Sequence, residues 1–304
     1  MKMKVVAIKE LMWTYHPIPA DWTIASFEDK DIIQKADIFV QTNIKGGKKE
    51  KKLGKIYDFV ANSKKPYICL ESAVFRYNMI KPPHPKAYHR WSWTSYFRNE
   101  GDYCNADSPD DRWIQIQKEQ QIKIKDWKFK GDYVLFLLQR PGDTSLKNLY
   151  KLYGTYENFV IHFISQIRKH TDRNIIIRPH PSRRQAQLDI IENCNLSNVY
   201  VSKNISKAGL SGGIELYEDF KNAWCVVGFN SNALTESVCE GIPTFSLCES
   251  SMAWECSNHP LNIIENPNEF DRTQWLNNLG YCQWTEEEAL NGLAYRHLLK
   301  KFVH

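Results

Sequence analysis

Val226-Val227-Gly228-Phe229-Asn230-Ser231-Asn232-Ala233-Leu234-Thr235-Glu236-Ser237-Val238-Cys239-Glu240-Gly241-Ile242-Pro243-Thr244-Phe245 reads as a buried strand, a small polar turn, an amphipathic helix, a Gly-Ile-Pro break and a second buried strand. Asn230, Ser231 and Asn232 fall where that helix starts. Free backbone N–H groups and the positive end of the helix dipole lie there, so the turn suits a phosphate. Glu236, one turn further in, is placed to reach a sugar hydroxyl. The plainer reading is a strand–helix–strand unit whose Asn and Ser only cap the helix.

A second element lies upstream. Ile175-Ile176-Ile177-Arg178-Pro179-His180-Pro181 is another apolar strand, ending in a turn with proline on both sides of His180. The flanking prolines restrict the backbone there, which suits a side chain that must be aimed. In doubly wound sheets ligands bind beyond the carboxyl ends of strands, so the two strand ends are candidates for one pocket.

Working outward, the second half alternates apolar runs with amphipathic ones. Strands are expected at 133–138, 175–178, 199–202, 225–228 and 244–247. Helices are expected at 156–170, 185–193, 214–222 and 233–240. This alternation indicates a parallel sheet covered on both faces. In the first half, strands are expected at 4–8, 37–41 and 67–71, and helices at 29–35 and 53–63. Residues 75–113 read as irregular and aromatic-rich, 113–128 as a polar bridge. The tail 286–302 reads as one helix capped by Thr285.

The ordered pair of motifs resembles the C-terminal half of GT-B glycosyltransferases. The likeness is to the capsule-polysaccharide, Kdo transferase-like group and its phage-encoded relatives, over roughly residues 130–285. The resemblance implies an α/β, GT-B-like fold of two Rossmann-like domains with a cleft between them. It divides the chain into an acceptor-binding domain (1–128), a nucleotide-sugar-binding domain (129–284) and a C-terminal helix (285–304) crossing back to the first. It also carries a phosphate role to His180, Ser231 and Asn232, and a ribose or sugar contact to Glu236. A GT-B enzyme stabilises its leaving group with helix N-termini and basic side chains. Arg140, in the Gln139-Arg140-Pro141-Gly142 turn after a strand, and Arg178 are candidates for that work; the alternative for both is a structural ion pair. No cofactor beyond the nucleotide-sugar donor substrate, and no metal, is expected. Asp29-Lys30-Asp31 has the form of a DxD metal motif but reads better as the acidic first turn of a helix.

Composition bounds the rest. The chain has 304 residues, 42% hydrophobic and 25% charged, as in ordinary globular proteins. Its eight cysteines are scattered without a CxxC pair, which points to reduced thiols and a cytoplasmic protein. No apolar run has the length of a membrane span, and the N-terminus leads into a strand rather than a signal peptide. The net charge of +5 is uneven: residues 1–128 hold 23 Lys and Arg against 16 Asp and Glu. Its focus is Lys45-Gly46-Gly47-Lys48-Lys49-Glu50-Lys51-Lys52-Leu53-Gly54-Lys55, either a solvated loop or a clamp for a polyanion through Lys48, Lys49, Lys51 and Lys52.

The acceptor base should come from the first half. Glu71 ends a buried strand and is followed by Arg76, an arrangement the capsule group also carries; the alternative is a structural Glu71–Arg76 pair. Asp111, with Asp107 and Asp110, is a rival base. Tyr88-His89-Arg90-Trp91-Ser92-Trp93 offers Trp91 and Trp93 to stack on sugars or unpaired bases, and Arg90 to reach a phosphate. These aromatics are equally suited to packing under a long loop. Three functions follow as expectations. The first is a nucleotide-sugar glycosyltransferase acting on hydroxymethylated cytosine in phage DNA, which the basic first half favours and which would require base flipping. The second builds an anionic surface glycan. The third is a non-catalytic nucleotide- or glycan-binding module.

Overall fold

The computed structural model describes residues 3–12, 17–42, 44–45, 50–75, 88–180, 184–192, 197–204 and 213–302. The chain divides into two compact units, one comprising Met1–Val74, Pro83–Gln115 and Leu276–His304, the other Phe75–Pro82 and Ile116–Trp275. Each is an α/β unit with its own sheet and core. Among the described residues, no helix is long and apolar enough to cross a membrane.

The first unit contains β1 (Val5–Ile8), β2 (Thr23–Ala25), α1 (Lys30–Gln34), β3 (Ile38–Thr42), α2 (Glu50–Asn62), β4 (Tyr67–Ser72) and β5 (Tyr88–Trp93). α3 (Asp111–Gln120) crosses the division between the units. Strands β1 to β4 pair in parallel. Their side chains alternate between two cores, as a strand period of two requires. Val5, Ala7, Ile38 and Val40 face one cluster, while Val6, Ile8 and Phe39 face the other.

The reading of 88–93 as irregular is corrected by the fold. β5 pairs antiparallel with β4, Leu70 opposite Trp91 and Glu71 opposite Arg90. All six of its residues are buried. Aromatic residues favour a pleated, packed surface, but the Pro- and His-rich stretch before them hid the strand.

The second unit contains β6 (Tyr133–Leu137), α4 (Lys147–Tyr153), α5 (Tyr156–Arg168), β7 (Asn174–Arg178), α6 (Arg184–Glu192), β8 (Val199–Val201), α7 (Gly213–Phe220), β9 (Ala223–Gly228), α8 (Ala233–Cys239) and β10 (Thr244–Ser246). Its sheet has the order β10-β9-β6-β7-β8, every pairing parallel. One sheet face buries Val134, Phe136, Ile175, Ile177 and Val227 against Phe159, Val160, Phe163 and Ile164 of α5. The break after α8 has a steric cause. Gly241 has φ of +71°, and a Cβ there would lie 2.0 Å from the Asp126 carbonyl oxygen. Only glycine fits such a site.

α9 (Thr273–Gly280) crosses the second division, and β11 (Gln283–Thr285), α10 (Glu286–Leu290) and α11 (Leu293–Leu298) return to the first unit. β11 pairs antiparallel with β5 and closes that sheet's edge. The single tail helix expected from sequence is broken at Gly292, whose φ is +72°. The Thr285 cap forms as expected, in a full capping box with Glu288. Arg112 clamps the returning segment from within the same unit, donating to both Glu288 carboxylate oxygens and lying 3.8 Å from the Trp284 ring centroid.

Candidate functional site

The second unit's strand order reverses beside β6. The chain runs outward from β6 to β7 and β8, then returns to lay β9 against the other side of β6. The loops after β6 and β9 therefore leave adjacent strands in opposite directions, the place where doubly wound sheets bind ligands.

Those loops are bolted together. Gln139 Nε2 donates to Asn230 Oδ1 at 2.7 Å, and Asn230 N returns a bond to Gln139 Oε1 at 3.0 Å. Asn230 Nδ2 donates to Ser145 O and to Ser250 Oγ, each at 2.8 Å, which ties in the loop after β10. The strand end after β7 joins through Gln187 of α6, which is fully buried. Its Nε2 donates to Gln139 O and to the Tyr156 hydroxyl at 2.8 Å, while its Oε1 accepts from His180 N at 2.7 Å. Burial raises the Tyr156 phenol above its ordinary range, so its hydroxyl stays protonated and donates to Gln139 O. A satisfied polar network of this kind fixes backbone positions before any ligand arrives.

Around this frame stand several of the residues picked from sequence. Arg140 is exposed and forms no ion pair among the described residues. Gly142 beside it has φ of +78°, allowing the tight turn. His180 is half-buried, its backbone held by Gln187. Ser231 is half-buried, and its Oγ accepts from Ala233 N at 3.3 Å. Asn232 already has helical dihedrals, φ −61° and ψ −23°, and makes no side-chain cap. Glu236 accepts from the Tyr217 hydroxyl of α7 at 3.2 Å.

Arg178 needs correction as a ligand contact. It is 4% exposed and pairs with Asp219, itself 2% exposed, at 2.5 Å. Asp219 also accepts from Ser202 Oγ and Asn204 Nδ2. The guanidinium is thus held through Nη1 inside a buried network that anchors α7 to the ends of β7 and β8, while its Nη2 has no hydrogen-bond partner among the described residues.

In the first unit, Glu71 lies at the end of β4, 9% exposed, and its Oε1 accepts from Ser72 N and Ser72 Oγ at 2.8 and 2.7 Å. The register places Arg90 opposite it and Gln283 opposite Arg90, so the three share one face. Arg90 is 5% exposed, donates to Ser72 O and Tyr96 O, and stacks over Tyr96. Trp91 and Trp93 are corrected outright. They are 0% and 1% exposed in the core, and Trp93 Nε1 donates to Leu298 O, so neither ring offers a face to an acceptor. Asp111 opens α3, exposed, and accepts from the Tyr281 hydroxyl at 2.9 Å. Lys51 and Lys52 lie on α2, with Lys52 exposed. Lys48, Lys49 and Arg76 lie outside the described residues.

Sequence reading passed over Gln139 and Gln187. Gln139 stood inside the quoted turn and could have been found there. Gln187 has no local signal, because only the fold brings α6 to the ends of β6 and β7.

No protein-family model and no curated protein matches the sequence. Among the solved structures that match are two transferases that cover nearly the whole chain. KpsC beta Kdo 2,4 transferase of Thermosulfurimonas dismutans superposes with a TM-score of 0.56 at 11% identity, covering 97% of this chain and 98% of that one. KpsC beta Kdo 2,7 transferase of the same organism gives 0.55 at 12% identity, covering 97% and 99%. What is shared is the fold. It is GT-B-like, an α/β fold with two Rossmann-like units, as the motif pair implied.

Proposed function

We propose that this chain is a glycosyltransferase that takes a sugar from a nucleotide sugar and passes it to a hydroxyl. The observation that carries the reading is the hydrogen-bonded frame of Gln139, Asn230 and Gln187 at the point where the second unit's strand order reverses. A phosphate leaving group needs pre-placed donors and positive charge. In this reading Arg140 supplies the charge, His180, Ser231 and Asn232 supply donors, and Glu236 contacts the ribose or sugar. Glu71 is the proposed acceptor base, with Asp111 the rival.

For the acceptor, a surface glycan is the better reading. Two of the fold neighbours are Kdo transferases, and burial of Trp91 and Trp93 removes the stacking platform that favoured a flipped base. Modification of hydroxymethylated cytosine in DNA stays as the second reading, carried by the basic excess of residues 1–128.

The test is thermal stabilisation by a panel of nucleotide sugars. A ligand at a hundred times its Kd should stabilise the protein by about 2.7 kcal/mol. Arg140→Ala and His180→Ala should abolish that shift without lowering the unliganded melting temperature. Failure of every nucleotide and nucleotide sugar to stabilise the wild type would sink the transferase reading. Glu71→Gln should keep donor binding and lose transfer. For the acceptor, duplex DNA that does not bind at low salt, or binds without salt dependence, removes the DNA alternative.

A further inference from the structure

The second unit holds a cavity of about 460 Å³ that shares no lining residue with the strand-end frame. It lies where α5, the end of β10 and the segment 254–262 meet, and its volume is in the range of small-molecule sites. Three features of its wall define what it can hold.

The first is an aromatic plate. Trp254 and His259 stack with ring centroids 3.5 Å apart and planes 18° from parallel. His259 is exposed and Trp254 half-buried, so the plate stands at the wall rather than inside the core. The second is charge. Among the described residues the lining contains neither carboxylate, lysine nor arginine; its ionisable side chains are His170 and His259, both exposed. A phosphate or nucleotide would find no arginine or lysine there to pair with. The third is a mixture of apolar and hydrogen-bonding surface. Phe163, Leu247 and Leu261 present carbon, while Gln166 and Asn262 present amides that both donate and accept. Ser246, also in the lining, is 1% exposed, and among the described residues its buried hydroxyl has no hydrogen-bond partner. An acyl chain would bury these polar groups without partners, which is unfavourable.

Aromatic rings for an apolar ring face, amides for a rim of OH groups, and no carboxylate, lysine or arginine are together the recognition chemistry of an uncharged sugar. We propose that this cavity is a binding site for a neutral saccharide, separate from the strand-end frame. A site of this kind would hold an uncharged stretch of glycan. The inference does not depend on the donor reading, because none of its residues is assigned to donor binding.

The experiment is isothermal titration of the full chain with methyl β-D-glucopyranoside, methyl β-D-galactopyranoside, N-acetylglucosamine and maltose, with sorbitol as the open-chain control. At least one cyclic sugar should bind saturably, and sorbitol should not. His259→Ala, at an exposed position, should keep the fold and weaken binding by about tenfold. Trp254→Ala should abolish it. A His180→Ala variant should bind the sugar as the wild type does, which separates this site from the donor site. The proposal is overturned if no cyclic sugar binds the wild type, if sorbitol binds equally well, or if His259→Ala and Trp254→Ala both leave affinity unchanged. Displacement of the bound sugar by a nucleotide would overturn it as well.

Discussion

Replacing Arg178 by Met tests whether this arginine belongs to the fold or to a ligand. Its guanidinium and the Asp219 carboxylate are 5% and 3% exposed at the side chain, and their closest atoms are 2.5 Å apart. Removing Arg178 leaves the carboxylate buried with only Ser202 and Asn204 as neutral side-chain donors. Breaking a buried pair from one side costs about 3–5 kcal/mol, because the remaining charge is uncompensated. For a unit of this size, each kcal/mol moves the melting temperature by roughly 2–4 °C, so Arg178→Met should lower it by roughly 6–20 °C. Removing both charges should recover part of the loss, since Asp219→Asn is close in volume and keeps an oxygen to accept from Ser202 and Asn204. Arg178→Met with Asp219→Asn is therefore expected to be more stable than Arg178→Met alone. The assay is urea denaturation followed by fluorescence, with nucleotide affinity measured on the folded fraction at low temperature. Two results would refute the reasoning. One is an Arg178→Met variant within about 1 kcal/mol of wild type. The other is a variant that stays folded but loses nucleotide affinity, which would return Arg178 to the donor site.

Stability should also fall on mild acidification. Burial holds His89 and His297 down to about 4 from an ordinary 6.5, and for His297 the Lys300 and Arg112 charges act in the same direction. Their native values lie below their unfolded ones. The stability they contribute is thus complete above pH ~6.5 and lost as pH falls toward ~4, by roughly 3 kcal/mol for each histidine. Urea midpoints across that window check this, and His297→Gln should flatten the dependence. Gly241→Ala should cost more than the roughly 1–2 kcal/mol of left-handed backbone strain alone, because its methyl would collide with the Asp126 carbonyl. Soluble yield and urea midpoint are the readouts.

The strand-end motifs were visible in the chain because their signals are local. Three apolar residues followed by Arg178-Pro179-His180-Pro181, and Val226–Gly228 followed by Asn230-Ser231-Asn232, mark strand ends by composition alone. Gly241 marks a break because glycine alone tolerates its dihedrals and its contact with Asp126. The roles of individual side chains were less visible. Arg178 read either as a ligand contact or as a structural ion pair, and Asp219, 41 residues away, decides for the pair. Trp91 and Trp93 read either as a stacking platform or as packing, and the place of β5 inside a sheet, between β4 and a strand formed by residues 283–285, decides for packing.

By itself, then, the sequence determined the alternation of strands and helices, the two buried strands that end in polar turns, and the breaks between them. These depend on hydrophobic period, on caps and on backbone dihedrals, all set within a few residues. The tertiary structure alone decided which charges are spent and which remain available. It buried Arg178 in a pair, left Arg140 exposed, and brought Gln139, Gln187 and Asn230 into one network. The physical reason is that a polar side chain's role depends on its partner and its burial. Both are supplied by strand order and register, which join residues 41 to 91 positions apart.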